Sequence, residues 1–100
     1  MSWAVRFTPL ADEDVAEAYA DYEAARRGLG EEFLAEVGRV VDLISAYPEG
    51  CPQVHRDLRR ALVHRFPYSL YYRPLTEAAL VEVRAVVHQR RHPRRWHRRA

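Results

Sequence analysis

From Trp3 to Thr8 the chain alternates, with Trp3, Val5 and Phe7 on one side and Ala4, Arg6 and Thr8 on the other. That period of two is the mark of a half-buried strand. The period then lengthens. Val15, Ala18, Tyr19 and Tyr22 fall on one face of a helix. Thr8 is its N-cap, Pro9 suits its first position, and Asp12, Glu13 and Asp14 sit near the positive end of its dipole. The helix is expected to end near Arg26-Arg27, with Gly28 as the left-handed residue after it. Leu29-Gly30 makes the turn. A second helix starts at Gly30 or Glu31 and carries Phe33, Val37, Val40, Ile44 and Tyr47 at helical spacing, widened by Leu34 and Val41 and closed by Pro48. So short a connection makes the pair an antiparallel hairpin, and both stripes read as core.

Glu49 to Asp57 reads as a loop. Three strands are expected after it: about Leu58–Arg65, about Tyr68–Arg73 and about Ala79–His88. Phe66-Pro67 and Pro74 to Ala78 are the turns. The connections are too short for crossovers, so these strands form an antiparallel meander. In the last strand Val81, Val83, Ala85 and Val87 are expected under the helices, with Glu82, Arg84, Val86 and His88 on the open face. In the strand before it, Ser69, Tyr71 and Arg73 oppose Tyr68, Leu70 and Tyr72. The first strand of the meander is ambiguous, because Ala61 and Val63 on one side and Leu62 on the other all read as core. The order β-α-α-β-β-β is an α+β fold: an antiparallel sheet with a two-helix hairpin on one face. Residues 1–100 are expected to form one domain with a basic tail at 89–100.

Composition alters this picture in one respect. Apolar residues make up 48% and the net charge is +2, both ordinary for a soluble domain. The charge is unevenly placed. Residues 1–50 hold four Arg against eleven Asp and Glu; residues 51–100 hold twelve Arg against Asp57, Glu77 and Glu82, and there is no Lys. Guanidinium groups recognise phosphate and carboxylate in a bidentate way and stack on rings, so the basic half is expected to face a polyanion or an acidic protein. Cys51 is the only cysteine and forms no internal disulfide. No apolar run nears the roughly 20 residues of a membrane span. The first residues lack the pattern of a secretory signal. The expected location is the cytoplasm, with no membrane partner.

Four stretches together resemble the RelE/ParE superfamily of type II toxin–antitoxin toxins: Val5-Arg6-Phe7-Thr8-Pro9 before an acidic helix; Gly28-Leu29-Gly30 leading to Phe33-Leu34; Leu58-Arg59-Arg60-Ala61-Leu62-Val63 running into Phe66-Pro67-Tyr68 and Tyr71-Tyr72-Arg73; and Val86-Val87-His88 before Arg90-Arg91 and a Pro-Arg-Arg-Trp ending. Their order and spacing cover nearly the whole chain. The resemblance implies a bacterial toxin neutralised by a cognate antitoxin that wraps it with a flexible acidic or amphipathic segment.

The superfamily divides by target. RelE-like members cleave messenger RNA on the ribosome; ParE-like members poison DNA gyrase. Neither reading requires a cofactor or a metal ion. As a nuclease, the chain would use His88 for proton transfer, with Arg90 and Arg91 on the phosphate. Target- or antitoxin-binding residues are Arg60, Arg65, Tyr71, Arg73, Arg84, Arg94, Arg95 and Trp96. His64 is a further candidate beside Arg65. Trp96 has two open readings, packing back on the domain or stacking on a base. RelE-type nucleases commonly carry an arginine after the tyrosine where this chain has Ser69, and lysines before that strand, where this chain has none. Serine cannot clamp a phosphate, which favours the ParE-like side.

Overall fold

Thr8 turns the first strand into the first helix. In the computed structural model, which describes residues 2–90 and 94–99, with only the backbone of Arg94 and Arg95, β1 (Ala4–Phe7) runs directly into α1 (Pro9–Ala25). The Thr8 hydroxyl accepts the Ala11 N–H at 3.2 Å, which satisfies one donor of the open first turn. Gly28 takes the left-handed conformation expected of it, at φ 90°, and α2 (Leu29–Ala46) follows. The two helices meet at Gly30. A Cβ there would lie 2.8 Å from the Tyr19 carbonyl oxygen and 2.7 Å from Glu23 Cγ, so only glycine allows this approach. The Gly30 N–H donates to the Glu23 carboxylate at 2.9 Å.

The remaining elements are β2 (Gln53–His55), β3 (Leu58–Leu62), β4 (Tyr68–Leu75), β5 (Leu80–His88) and the short α3 (Arg94–His97). The five strands form one sheet in the order β1-β5-β4-β3-β2. The expected meander is present as β3-β4-β5, each pair antiparallel. Three details differ from expectation. β1 joins β5 in parallel, with Val5 opposite Val81, so the sheet is mixed. A short strand, β2, lies within the segment read as a loop and pairs Gln53 with Arg59; three residues are too few to show a period. β4 also runs through Pro74, which was read as the start of a turn. Pro74 is opposite Val81 on β5, while the last β3 pair is Arg59 with Tyr72. The β3 side of β4 is therefore open at Pro74, where a missing N–H does no harm.

Helices and sheet share a core of Phe33, Ile44, Leu70, Tyr72, Val81 and Val83, all fully buried. Each contributes roughly 1.5–3 kcal/mol by leaving water. Tyr22, Phe33, Phe66 and Tyr68 form an aromatic cluster with ring centroids 4.9–6.1 Å apart. Ala61 of β3 and Val63 just after it join this core while Leu62 stays 62% exposed, which resolves the ambiguous strand.

β5 corrects the expected facing. Its register slips at a bulge: Tyr72 lies opposite Val83 and Tyr71 opposite Ala85, with no partner for Arg84. A bulge adds one residue and so inverts the side-chain alternation beyond it. Val81 and Val83 lie under the helices as expected, but beyond the bulge it is Val86 that joins them. Ala85 and Val87 turn to the other face, into a second cluster with Leu58, Tyr71 and Trp96.

Candidate functional site

The bulge gives the open face of the sheet an apolar floor, and α3 closes over it. Trp96 stacks on Tyr71 with centroids 4.2 Å apart and planes 11° apart. His97 stacks on His55 of β2 at 4.2 Å and 20°, and His55 meets Trp96 edge-on. Of the two readings left open for Trp96, this is packing back on the domain.

Polar contacts fix the same segment from the other side. The Arg99 guanidinium pairs with the Asp14 carboxylate of α1 and donates to the Arg84 carbonyl at 3.2 Å. Arg84 Nη1 donates to the Arg99 carbonyl at 2.9 Å. Asp14 also accepts the Val86 N–H at 2.9 Å. β1 ends at Phe7, opposite Val83, so the β5 edge beyond it has no neighbouring strand. The Thr8 hydroxyl, Asp14 and Arg99 take up edge groups there, as burial of backbone polar groups demands.

Five predicted residues meet on this face. Arg60 of β3 is directly opposite Tyr71 and is exposed. Arg73 is held by Asp57 at 2.6 Å. Arg84 is held by Glu82 at 2.8 Å, and Trp96 caps the group. Glu82 lies between two guanidiniums. Arg6 of β1, hydrogen-bonded at 2.7 Å, and Arg84 beside it hold the Glu82 carboxyl below its ordinary range, against the opposing pull of burial.

Three predicted residues, His88, Arg65 and Arg90, lie elsewhere. His88 was expected on the open face, but past the bulge it points to the helix side. There it meets Tyr68 edge-on at 5.3 Å and borders a small cleft with Asp14, Glu17 and Asp21 of α1. Its Nδ1 accepts the Arg90 N–H at 3.1 Å. Ser69 is opposite Val87 rather than His88 and is buried, so the two residues occupy opposite faces. Arg65 turns to α2, bonded to Glu32 at 2.8 Å and 3.9 Å from Glu36. With Arg26, it holds the Glu32 carboxyl low. Arg90 is exposed beyond the end of β5. Arg91 and the side chains of Arg94 and Arg95 lie outside the described residues.

Asp14, His55 and Arg99 join the site unannounced. Asp14 read as one more acidic residue of a helix's first turn; only its burial sets it apart. Among the described residues, no group of three or more His, Cys, Asp or Glu side chains is placed to hold a metal ion, and no helix is long and apolar enough to cross a membrane. The open face thus offers stacked rings, two imidazoles among them, flanked by guanidiniums.

A family model described as the ParE toxin of the type II toxin–antitoxin system parDE matches residues 5–93. No curated protein matches the sequence. Among solved structures, the chromosomal ParDE system of P. aeruginosa superposes with a TM-score of 0.74 at 14% identity, covering 87% of this chain and 96% of that one. The toxin–antitoxin complex RelBE2 of Mycobacterium tuberculosis gives 0.66 at 25% identity, covering 88% and 99%. A mutant of the E. coli toxin RelE in the free state gives 0.65 at 16% identity, covering 86% and 82%. At 14% and 16% identity the likeness is one of fold.

Proposed function

The chain belongs to the ParE toxin family of type II toxin–antitoxin systems, and on that premise we propose that it arrests growth by binding DNA gyrase and is held inactive by a cognate antitoxin. One observation carries the choice of a binder over a nuclease: His88 and the open-face guanidiniums lie on opposite sides of the sheet. Cleavage through His88 needs its imidazole within hydrogen-bond reach of the phosphate that the cations hold, and the imidazoles that do lie on the open face, His55 and His97, are stacked on one another. Here Arg60 and Arg84 flank Tyr71, while His88 faces the carboxylates of α1. Trp96 covers the apolar part of the open face as well.

The stacked rings and arginines of that face supply a contact surface for the target, with Arg60 as its exposed cation. Action on gyrase places the protein in the cytoplasm. The family, and the likeness to the ParDE and RelBE2 toxin–antitoxin systems, support an antitoxin partner.

The test pairs a supercoiling assay with primer-extension mapping after induction. The expected result is inhibited supercoiling by the purified chain and full-length transcripts in the cell. Cuts inside codons that disappear in His88→Ala would overturn this reading in favour of a ribosome-dependent endoribonuclease acting through His88 with Arg90 and Arg91.

A further inference from the structure

Tyr72 is fully buried, and its hydroxyl has no hydrogen-bond partner among the described residues. A buried phenol normally finds one. Two residues stand near this hydroxyl. Arg59 is directly opposite Tyr72 across β3 and β4, so both side chains leave the sheet on the same side. Cys51, a free and half-buried thiol between α2 and β2, packs against the same core. Burial first, and the Cys51 thiol second, push the Tyr72 hydroxyl above its ordinary pKa of 10; the Cys51 N–H and the Arg59 guanidinium pull the other way. None of these groups reaches hydrogen-bonding geometry. The hydroxyl stays protonated at neutral pH, a donor that points at a sulfur and lacks an oxygen.

The sulfur has a cation beside it. Arg59 Nη1 donates to the Cys51 carbonyl at 2.6 Å and to the Glu49 carbonyl at 3.0 Å. Carbonyls fix the guanidinium in place and leave its charge uncancelled. A positive charge next to a partly exposed thiol favours the thiolate, the form that reacts. The chain holds no second cysteine, so an oxidised Cys51 has no resolving thiol of its own.

We propose that Cys51 is an oxidation site for peroxides, with Arg59 favouring the thiolate and the Tyr72 hydroxyl holding the product. The thiolate attacks one oxygen of a hydroperoxide. The S–O bond forms, the O–O bond breaks, and the other oxygen leaves as hydroxide or alkoxide and takes a proton from water. The sulfur is oxidised to a sulfenic acid and the peroxide is reduced. The new oxygen is the acceptor that Tyr72 lacks. Held there, it is screened from a second peroxide, and an external thiol is needed to remove it.

The experiment exposes the purified full chain to hydrogen peroxide at neutral pH, traps sulfenic acid with dimedone and reads the adduct by mass spectrometry. The native chain is expected to be labelled at Cys51 on the order of tenfold faster than the same chain unfolded in urea, where the sulfur has no guanidinium fixed beside it. Delayed addition of dimedone reads the lifetime of the sulfenic acid. Tyr72→Phe removes only the hydroxyl, and circular dichroism verifies its fold. It is expected to form sulfenic acid at the wild-type rate and to pass on to sulfinic acid several-fold faster. Arg59→Gln is expected to lose the advantage of the native chain, and Arg59→Lys to recover part of it. Native labelling no faster than labelling in urea overturns the site. A sulfenic acid equally long-lived in wild type and Tyr72→Phe overturns the hold of Tyr72 on the product.

Discussion

Trp96 lies flat on Tyr71, ring planes 11° apart and centroids 4.2 Å apart, so the C-terminal tryptophan roofs a second core on the sheet's open side. Beneath it are Leu58, Ala85 and Val87. Trp96→Ala is expected to uncover all three and to cost about 3 kcal/mol, the range for a buried large aromatic. Urea unfolding measures it. A midpoint equal to that of the wild type would mean that α3 does not hold this position in solution.

Asp14 serves two donors at once, the Val86 N–H and the Arg99 guanidinium. Asp14→Ala orphans both and is expected to destabilise the fold by about 2–4 kcal/mol. Asp14→Asn keeps an acceptor for Val86 and loses only the charge for Arg99, so its cost should be smaller. Hydrogen exchange at Val86 separates the two: rapid in the alanine variant, protected in the asparagine variant. Equal exchange in both would remove Asp14 as the cap of this edge.

Glu82 gives the fold an acid sensitivity whose sign is fixed. Arg6 and Arg84 lower its folded pKa from the ordinary 4.5. Its contribution to stability is therefore complete above that value and is lost as pH falls through the depressed folded pKa. Glu82→Gln should be less stable than wild type at pH 7, and the gap should narrow as pH is lowered below about 4. Unfolding midpoints of the two proteins, compared across that range, decide it. A gap that does not change with pH would assign the loss to packing.

The parts of the fold written in a single period were legible. The stripe of Phe33, Val37, Val40 and Ile44 gave α2 and its buried face. Strict alternation in Tyr68 to Tyr72 gave β4 both its faces. The bulge at Arg84 was not legible, because Ala85, Val86 and Val87 are all apolar and small enough for either side. With the bulge hidden, the reading put His88 on the wrong face, although its place at the strand's end was right. β2 was too short to carry a period, and its pairing with Arg59 and Leu58 joins segments that sequence alone does not. Asp14 was hidden among acidic neighbours; burial, which singles it out, is a property of the assembled fold.

The parallel pairing of β1 with β5 also orders events during synthesis. β1 is made before both helices, yet its place in the sheet is beside a strand that ends at His88. β5 is also what links β1 to the rest of the sheet. A nascent chain that has not reached Leu80 therefore has β2, β3 and β4 to pair with one another but no partner strand for β1. Contacts of such long sequence separation form late. A chain of a toxin family thus completes its five-stranded sheet, and the face that Trp96 roofs, only after Leu80 to His88 have left the ribosome.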